Sequence, residues 1–203
     1  MADETANSNG NATATKPRAP RLIAHYREQI APQLSQRFGY KNALAIPRLE
    51  KIVVSMGVGK PVTAGNKQHI EHAERDLSLI VGQKPVRCRA KKSVAQFKVR
   101  EGQETGLKVT LRGVRMYEFL DRVITLAIPR VKDFRGLSPK GFDKFGNYNF
   151  GFAEQSVFPE IDPAGITSPQ GMNITIVSTA RNADEGRALL DGFGFPFRDD
   201  TKK

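Results

Sequence analysis

Between Leu77 and Arg100 the chain carries no Asp or Glu, while Lys84, Arg87, Arg89, Lys91, Lys92, Lys98 and Arg100 supply seven positive charges. Like charges within a Debye length, ~8 Å at physiological ionic strength, repel one another. A compact fold gains nothing from such a cluster by itself. Phosphates reverse the sign, because each contact neutralised by Lys or Arg releases counterions and favours binding. Gly82, Ser93, Gln96 and Phe97 add adaptable polar groups and a ring able to stack on a base. The bland alternative is a solvated basic hairpin.

Other constellations carry less chemistry. Met56-Gly57-Val58-Gly59-Lys60-Pro61 hints at a phosphate loop, but it lacks the GxxxxGK[ST] spacing and Pro follows the Lys. That leaves backbone approach to an RNA phosphate, or a simple turn. His69 and His72 stand three apart with Glu71 and Glu74 nearby, without an HExxH arrangement or a cysteine partner to complete a metal site. Cys88 lies among cations with no partner histidine fixed in sequence. Asp133-Phe134-Arg135-Gly136 stands without the other kinase motifs. No acid pair and no Ser/His/Asp arrangement emerges. The expectation is a binding protein with no catalytic residue, no metal and no cofactor.

The charge map supports this. The 203-residue chain has a net charge of +11, unevenly spread: −2 over residues 1–15, +6 over 16–51, zero over 52–83, +5 over 84–106, +5 over 107–144 and −3 over 154–203. A polycationic first two-thirds calls for a polyanion; the mildly acidic last quarter calls for something else. A single cysteine allows no internal disulfide. No apolar run approaches the ~20 residues that span a bilayer, and the N-terminus lacks a signal-peptide core. A soluble cytoplasmic chain with no membrane partner is expected.

Positioning these residues requires elements. Residues 1–15 are small and polar and predict a disordered tail, extending to residue 19. A single RNA-binding α+β domain is expected over 20–198, with a flexible end at 199–203. Leu22, Ile23, Tyr26, Ile30 and Leu34 predict a helix over Arg21–Phe38, kinked or broken at Pro32. Leu49–Met56 reads as a strand. Asn66 is the expected cap of a second helix reaching Val81, with Ile70, Ala73, Leu77 and Ile80 on one face and Gly82 ending it. Val86–Arg89, Ala95–Arg100 and Gly106–Leu111 read as strands. Met116, Phe119, Leu120, Val123, Ile124 and Ala127 predict a third helix stopped by Pro129. Asn147–Phe152 and Met172–Ser178 are further strands, and Asp184–Leu190 opens a last helix. Interleaved helices and strands with short links predict a mainly antiparallel sheet with helices packed on one face. The other face, and a long basic loop between strands, would be free for RNA.

Several segments together resemble a known family: Ile46-Pro47-Arg48-Leu49-Glu50-Lys51-Ile52, Met56-Gly57-Val58-Gly59, Gly82-Gln83-Lys84-Pro85, Lys91-Lys92-Ser93-Val94-Ala95, Lys108-Val109-Thr110-Leu111-Arg112-Gly113, Asp133-Phe134-Arg135-Gly136-Leu137, Phe158-Pro159-Glu160-Ile161 and Gly194-Phe195-Pro196-Phe197. In order from about Arg21 to Arg198, they look like the 5S-rRNA-binding family of the bacterial large ribosomal subunit, number five of that subunit. The resemblance implies a place in the central protuberance, on the ribosome, beside other proteins of that region. It implies contacts with 5S rRNA, 23S rRNA and P-site tRNA, and a bridge to the small-subunit head protein number thirteen. Carried over by residue, it implies 5S rRNA contacts at Arg21, Tyr26, Ser55, Met56, Gly57, Gly59, Gln83, Lys84 and Ser93. It implies tRNA contacts at Arg89, Lys91, Lys92, Lys98 and Arg100, within a loop from Ala90 to Arg100. Ser55 stands where Asn is common in the family, and residues 1–20 exceed the usual start.

Overall fold

The computed structural model describes residues 20–59, 61, 68–166 and 168–198. The expected tail, the flexible C-terminal end and the Asn66 cap lie outside them.

Three segments alternate apolar and polar residues with period two, and they form the centre of one sheet. In β1 (Leu49–Gly57), Ile52, Val54 and Met56 are buried while Lys51, Val53 and Ser55 are not. In β3 (Glu104–Leu111) the buried set is Leu107, Val109 and Leu111, and in β5 (Met172–Ser178) it is Met172, Ile174 and Ile176. Two edge strands, β2 (Val86–Arg89) and β4 (Tyr148–Phe152), complete the order β2-β3-β1-β5-β4. Every pairing is antiparallel, and the register sets apolar against apolar: Val54 faces Val109 on one side and Ile174 on the other.

The helices bury the apolar face. Residues Arg21–His25 (α1), a π-helical turn Tyr26–Ile30 and Ala31–Phe38 (α2) form one rod. The second helix, α3 (Gln68–Val81), turns Ile70, Ala73, Leu77 and Ile80 inward as the spacing predicts. It ends at Gly82, whose φ of +69° suits glycine. The third, α4 (Gly113–Arg122), continues through a π turn Val123–Ala127 and a 3-10 turn Ile128–Arg130. The last, α5 (Ala183–Gly192), is capped by Asn182, whose side chain accepts from the Glu185 N–H. Side chains from all of these except α1's exposed residues join one core with the strands. The α+β architecture with one helix-covered face is as expected.

One expectation needs correction. Ala95–Arg100 is not a strand: Ala95–Phe97 is a 3-10 turn and Lys98 takes a left-handed φ of 53°, leaving only a bridge between Val94 and Val99. Pro32 stands just after a π turn that interrupts the first helix, and the third helix stops one residue past Pro129, at Arg130. Ala31 N–H donates five residues back to the Tyr26 carbonyl, and Ile128 N–H five back to Val123. Each π bond immediately precedes a proline, Pro32 or Pro129. Widening the turn gives the ring room and reassigns the hydrogen bond that proline cannot make.

Leu77→Ala should cost about 2–5 kcal/mol in chemical denaturation, since its side chain is wholly buried. Val177→Thr, on the uncovered face, should stay within about 0.5 kcal/mol. Alkali supplies a second check. Burial pushes the Tyr148 phenol up to about 12 from 10.0. Its stabilising effect is complete below pH 10.0 and is lost as pH rises toward 12. Tyr148→Phe should therefore flatten the fall in stability across that interval, at the loss of the bond to the Ser138 carbonyl.

Candidate nucleic-acid interface

The register that buries one face composes the other. Onto the open face alternate Lys51, Val53 and Ser55 from β1, Lys108 and Thr110 from β3, Asn173, Thr175 and Val177 from β5, and Asn149 from β4. Val86 and Cys88 of β2 share it. None of these side chains is acidic; two acids border them, Glu50 at 3.7 Å from Lys51 Nζ and Glu104, which binds Arg87 and Arg89. Thr175 Oγ1 donates to Asn149 Oδ1 at 2.7 Å across strands, fixing the direction of that amide. Gly57 pairs with Gly106 at one end of the face, so that corner is flat backbone. The surface offers cations, hydroxyls and amides over a rigid sheet, a combination suited to phosphate and 2′-hydroxyl groups.

Beyond the Gly57 end stands the basic loop joining β2 to β3. It has its own frame. Ala90 N donates to the Gln103 carbonyl at 2.8 Å, Gly102 N to the Ala90 carbonyl at 3.0 Å, and Val94 and Val99 exchange bonds at 2.9 and 3.2 Å. Ser93 Oγ accepts from Glu101 N at 2.9 Å, and Gln103 Oε1 from Arg100 N at 3.1 Å. These bonds tie the two limbs of the loop to each other. Lys91, Lys92, Lys98, Arg100 and the ring of Phe97 are all exposed.

The cations of the acid-free stretch are not equivalent. Arg87 binds Glu74 at 2.5 Å and Glu104 at 3.2 Å, so its charge is already compensated. The Glu74 hydrogen bond is the first cause raising its pKa. Arg89 touches Glu104 only at 3.9 Å and remains 70% exposed. Lys84 and the half-buried Gln83 follow Gly82 in the link between α3 and β2.

The expected 5S rRNA residues separate into groups. Ser55 and Gly57 lie on the open face, and the part-exposed Gly59 sits just past it. Met56 faces the core at 2% exposure, because it occupies the buried phase of β1; only its backbone borders the face. Ser93 belongs to the basic loop rather than to the Gln83–Lys84 link. Arg21 is exposed and paired with Asp121 at 2.5 Å. The Tyr26 hydroxyl donates to the Pro47 carbonyl at 2.9 Å while its ring stacks on Phe193, which makes it a strut of the first helix. Lys51, Lys108, Thr110, Asn149, Asn173 and Thr175 were not singled out by the motifs. Their signal was the polar phase of the alternation in β1, β3 and β5.

A buried polar network steadies the Gly57 corner. His69 Nε2 lies 2.9 Å from Gln170 Oε1, and its Nδ1 lies 3.2 Å from Ser168 Oγ. Gln170 Nε2 donates to the Gly57 carbonyl at 3.0 Å. Gln155, 2% exposed, donates to the Ser168 carbonyl at 3.2 Å and accepts from Gln170 N–H. His69 is thereby a tie between α3 and the segment before β5, whereas His72 is exposed. Among the described residues no group of three or more His, Cys, Asp or Glu could hold a metal, and no helix is long and apolar enough to cross a membrane.

The sequence pattern of the family described as ribosomal protein L5 matches residues 42–100, and the pattern of that family's C-terminus matches residues 104–197. The large ribosomal subunit protein uL5 of Streptomyces griseus subsp. griseus is 56% identical over 181 residues, 89% of this chain and 97% of that protein. That of Thermobifida fusca is 56% identical over 184 residues, 91% and 95% of the two chains. That of Streptomyces coelicolor is 57% identical over 180 residues, 89% and 96% of the two chains.

If the open face binds phosphates, Lys108→Ser should lower the log–log salt slope for a structured RNA by about 1. Arg87→Ser should leave that slope unchanged and lower the melting temperature instead. A filter-binding series from low to moderate salt, with thermal melts, measures both.

Proposed function

The chain belongs to the ribosomal protein L5 family, and on that premise we propose that it fastens 5S rRNA to the large ribosomal subunit through the open face of its sheet. Family membership makes it a structural constituent of the large subunit and an rRNA binder, not an enzyme, with a place on the ribosome, cytoplasmic in bacteria. The observation carrying the finer reading is the polar face of hydroxyls, amides and lysines bordered by a self-supported basic loop. Contacts are to phosphate and sugar, with shape rather than a base code selecting the RNA.

In this reading Ser55, Gly57, Gly59, Gln83 and Lys84 meet 5S rRNA together with the open-face residues. Arg21 and the strut Tyr26 border the same RNA, or the neighbouring 23S rRNA. The basic loop, with Arg89, Lys91, Lys92, Lys98 and Arg100, projects to P-site tRNA; Ser93 shapes it from within. The acidic last quarter, with exposed Glu154 ahead of β5, faces a basic partner. The small-subunit head protein number thirteen fits that description, and other central-protuberance proteins flank the site.

The division of labour is testable. Reversing Lys91 and Lys92 to Glu should weaken tRNA-dependent translation more than it weakens 5S rRNA retention on filters. Equal loss of both would sink the separation of surfaces, and 5S affinity that ignored salt would sink the phosphate account.

A further inference from the structure

The chain has twelve phenylalanines. Ten are buried or half-buried; only Phe97 and Phe145 stand in solvent, at 70% and 69% exposure. Each adjoins a lysine, Lys98 or Lys144. Phe97 belongs to the basic loop past the Gly57 end of the sheet. Phe145 lies at the opposite end, in the turn that feeds β4.

A lone exposed apolar side chain is ordinary and needs no explanation. Phe145 differs in how firmly it is held there. Asp143 Oδ1 accepts from Phe145 N at 2.9 Å and Asn147 N at 2.8 Å, and Oδ2 accepts from Asn147 Nδ2 at 2.7 Å. Asp143 N donates to the Asn147 carbonyl at 2.9 Å. The turn is then fastened to the sheet. Ser178 Oγ donates to the Gly146 carbonyl at 2.9 Å, and Ser178 N to Asn147 Oδ1 at 3.2 Å. Gly146 has a φ of +74°, and a Cβ there would come within 2.6 Å of the Asn182 carbonyl oxygen. The backbone under Phe145 is therefore fixed while the ring it carries stands exposed. A partner that covered the ring would meet little cost in ordering the tip.

The surroundings select the partner. Lys140, Lys144 and Arg181 are exposed about the turn. The Asp143 carboxylate points inward, and Glu185 is buried with Oε2 accepting from Arg181 N. Asp184 is the exposed acid on the adjoining first turn of α5. Two residues after Asn147 comes Asn149, on the open face. A fixed ring beside a cation at the rim of a polar, lysine-bearing surface matches a base with its phosphate: every base has a face to stack, and the lysine meets the backbone. We propose that Lys144 and Phe145 form a separate contact point of the RNA interface, with Phe145 stacked on an unpaired base of ribosomal RNA and Lys144 on the adjacent phosphate. This deepens the RNA reading above and rests on it.

The absence of tryptophan from the chain makes the test direct. Phe145→Trp installs the sole indole, on a tip outside the core. On titration with protein-free 5S and 23S rRNA, its emission should be quenched at saturation. Phe145→Ala should bind about 5- to 150-fold more weakly with the salt slope unchanged, and Lys144→Ala should lower that slope by about 1. Undiminished emission from a Phe145→Trp chain that filters show to be RNA-bound would overturn the proposal and leave the RNA reading standing. So would an emission that shifts to the blue only when the other large-subunit proteins are added, the sign of an apolar protein pocket. Failure of the unaltered chain to bind either RNA would remove the RNA reading, and this proposal with it.

Discussion

Water is excluded from only one face of the sheet, and the period-two alternation of β1, β3 and β5 enforces this. A slip of one residue in any central pairing would send Ile52, Val54 and Met56 outward and Lys51 and Ser55 into the core. Burying two such groups without partners costs far more than any local rearrangement recovers. The core and the open polar face are therefore a single constraint seen from two sides. The apolar phase fixes the register, and the register delivers lysines, hydroxyls and amides to one plane.

Much of this was legible beforehand. The apolar stripes of α3 and α4, the alternation of β1, β3 and β5 and the punctuation by Gly82 each follow from local spacing. The basic loop was legible as charge but not as conformation. Val94, Phe97 and Val99 resemble a strand in composition, yet among the described residues no neighbouring strand accepts their hydrogen bonds, and the segment closes on itself. Met56 was named through its motif, although its phase in β1 points it into the core. The open-face residues carry their signal in that same phase, spread over separate strands where no contiguous motif marks them. Arg87 could not be separated from its basic neighbours by sequence, since Glu74 lies on another element.

Two further features were beyond local reading. Both prolines are preceded at the same offset by a π turn, whose backbone bond closes one residue ahead of the ring. The glutamine and histidine network joins residues about one hundred positions apart, His69 to Ser168 and Gln170. Each partner alone reads as a polar residue of no particular note. Together they replace water around buried polar atoms and hold the segment before β5 against the end of β1.

The two margins of the sheet are finished differently. At β4, Phe142 bridges to Tyr148, and Phe195 and Phe197 from the C-terminal segment crowd rings against Tyr148. Leu137 and the backbone of Pro196 and Arg198 close over that region with bonds of 2.8 and 2.9 Å. At β2 nothing among the described residues covers the strand, but it is four residues long and alternates with Arg87 and Arg89. One margin is plugged with aromatic rings, and the other is too short to offer a long template and carries ion-paired arginines. A protein made apart from its RNA must survive an interval at rising concentration before assembly. With no long bare strand among the described residues to template another chain, it can wait as separate molecules rather than as fibres.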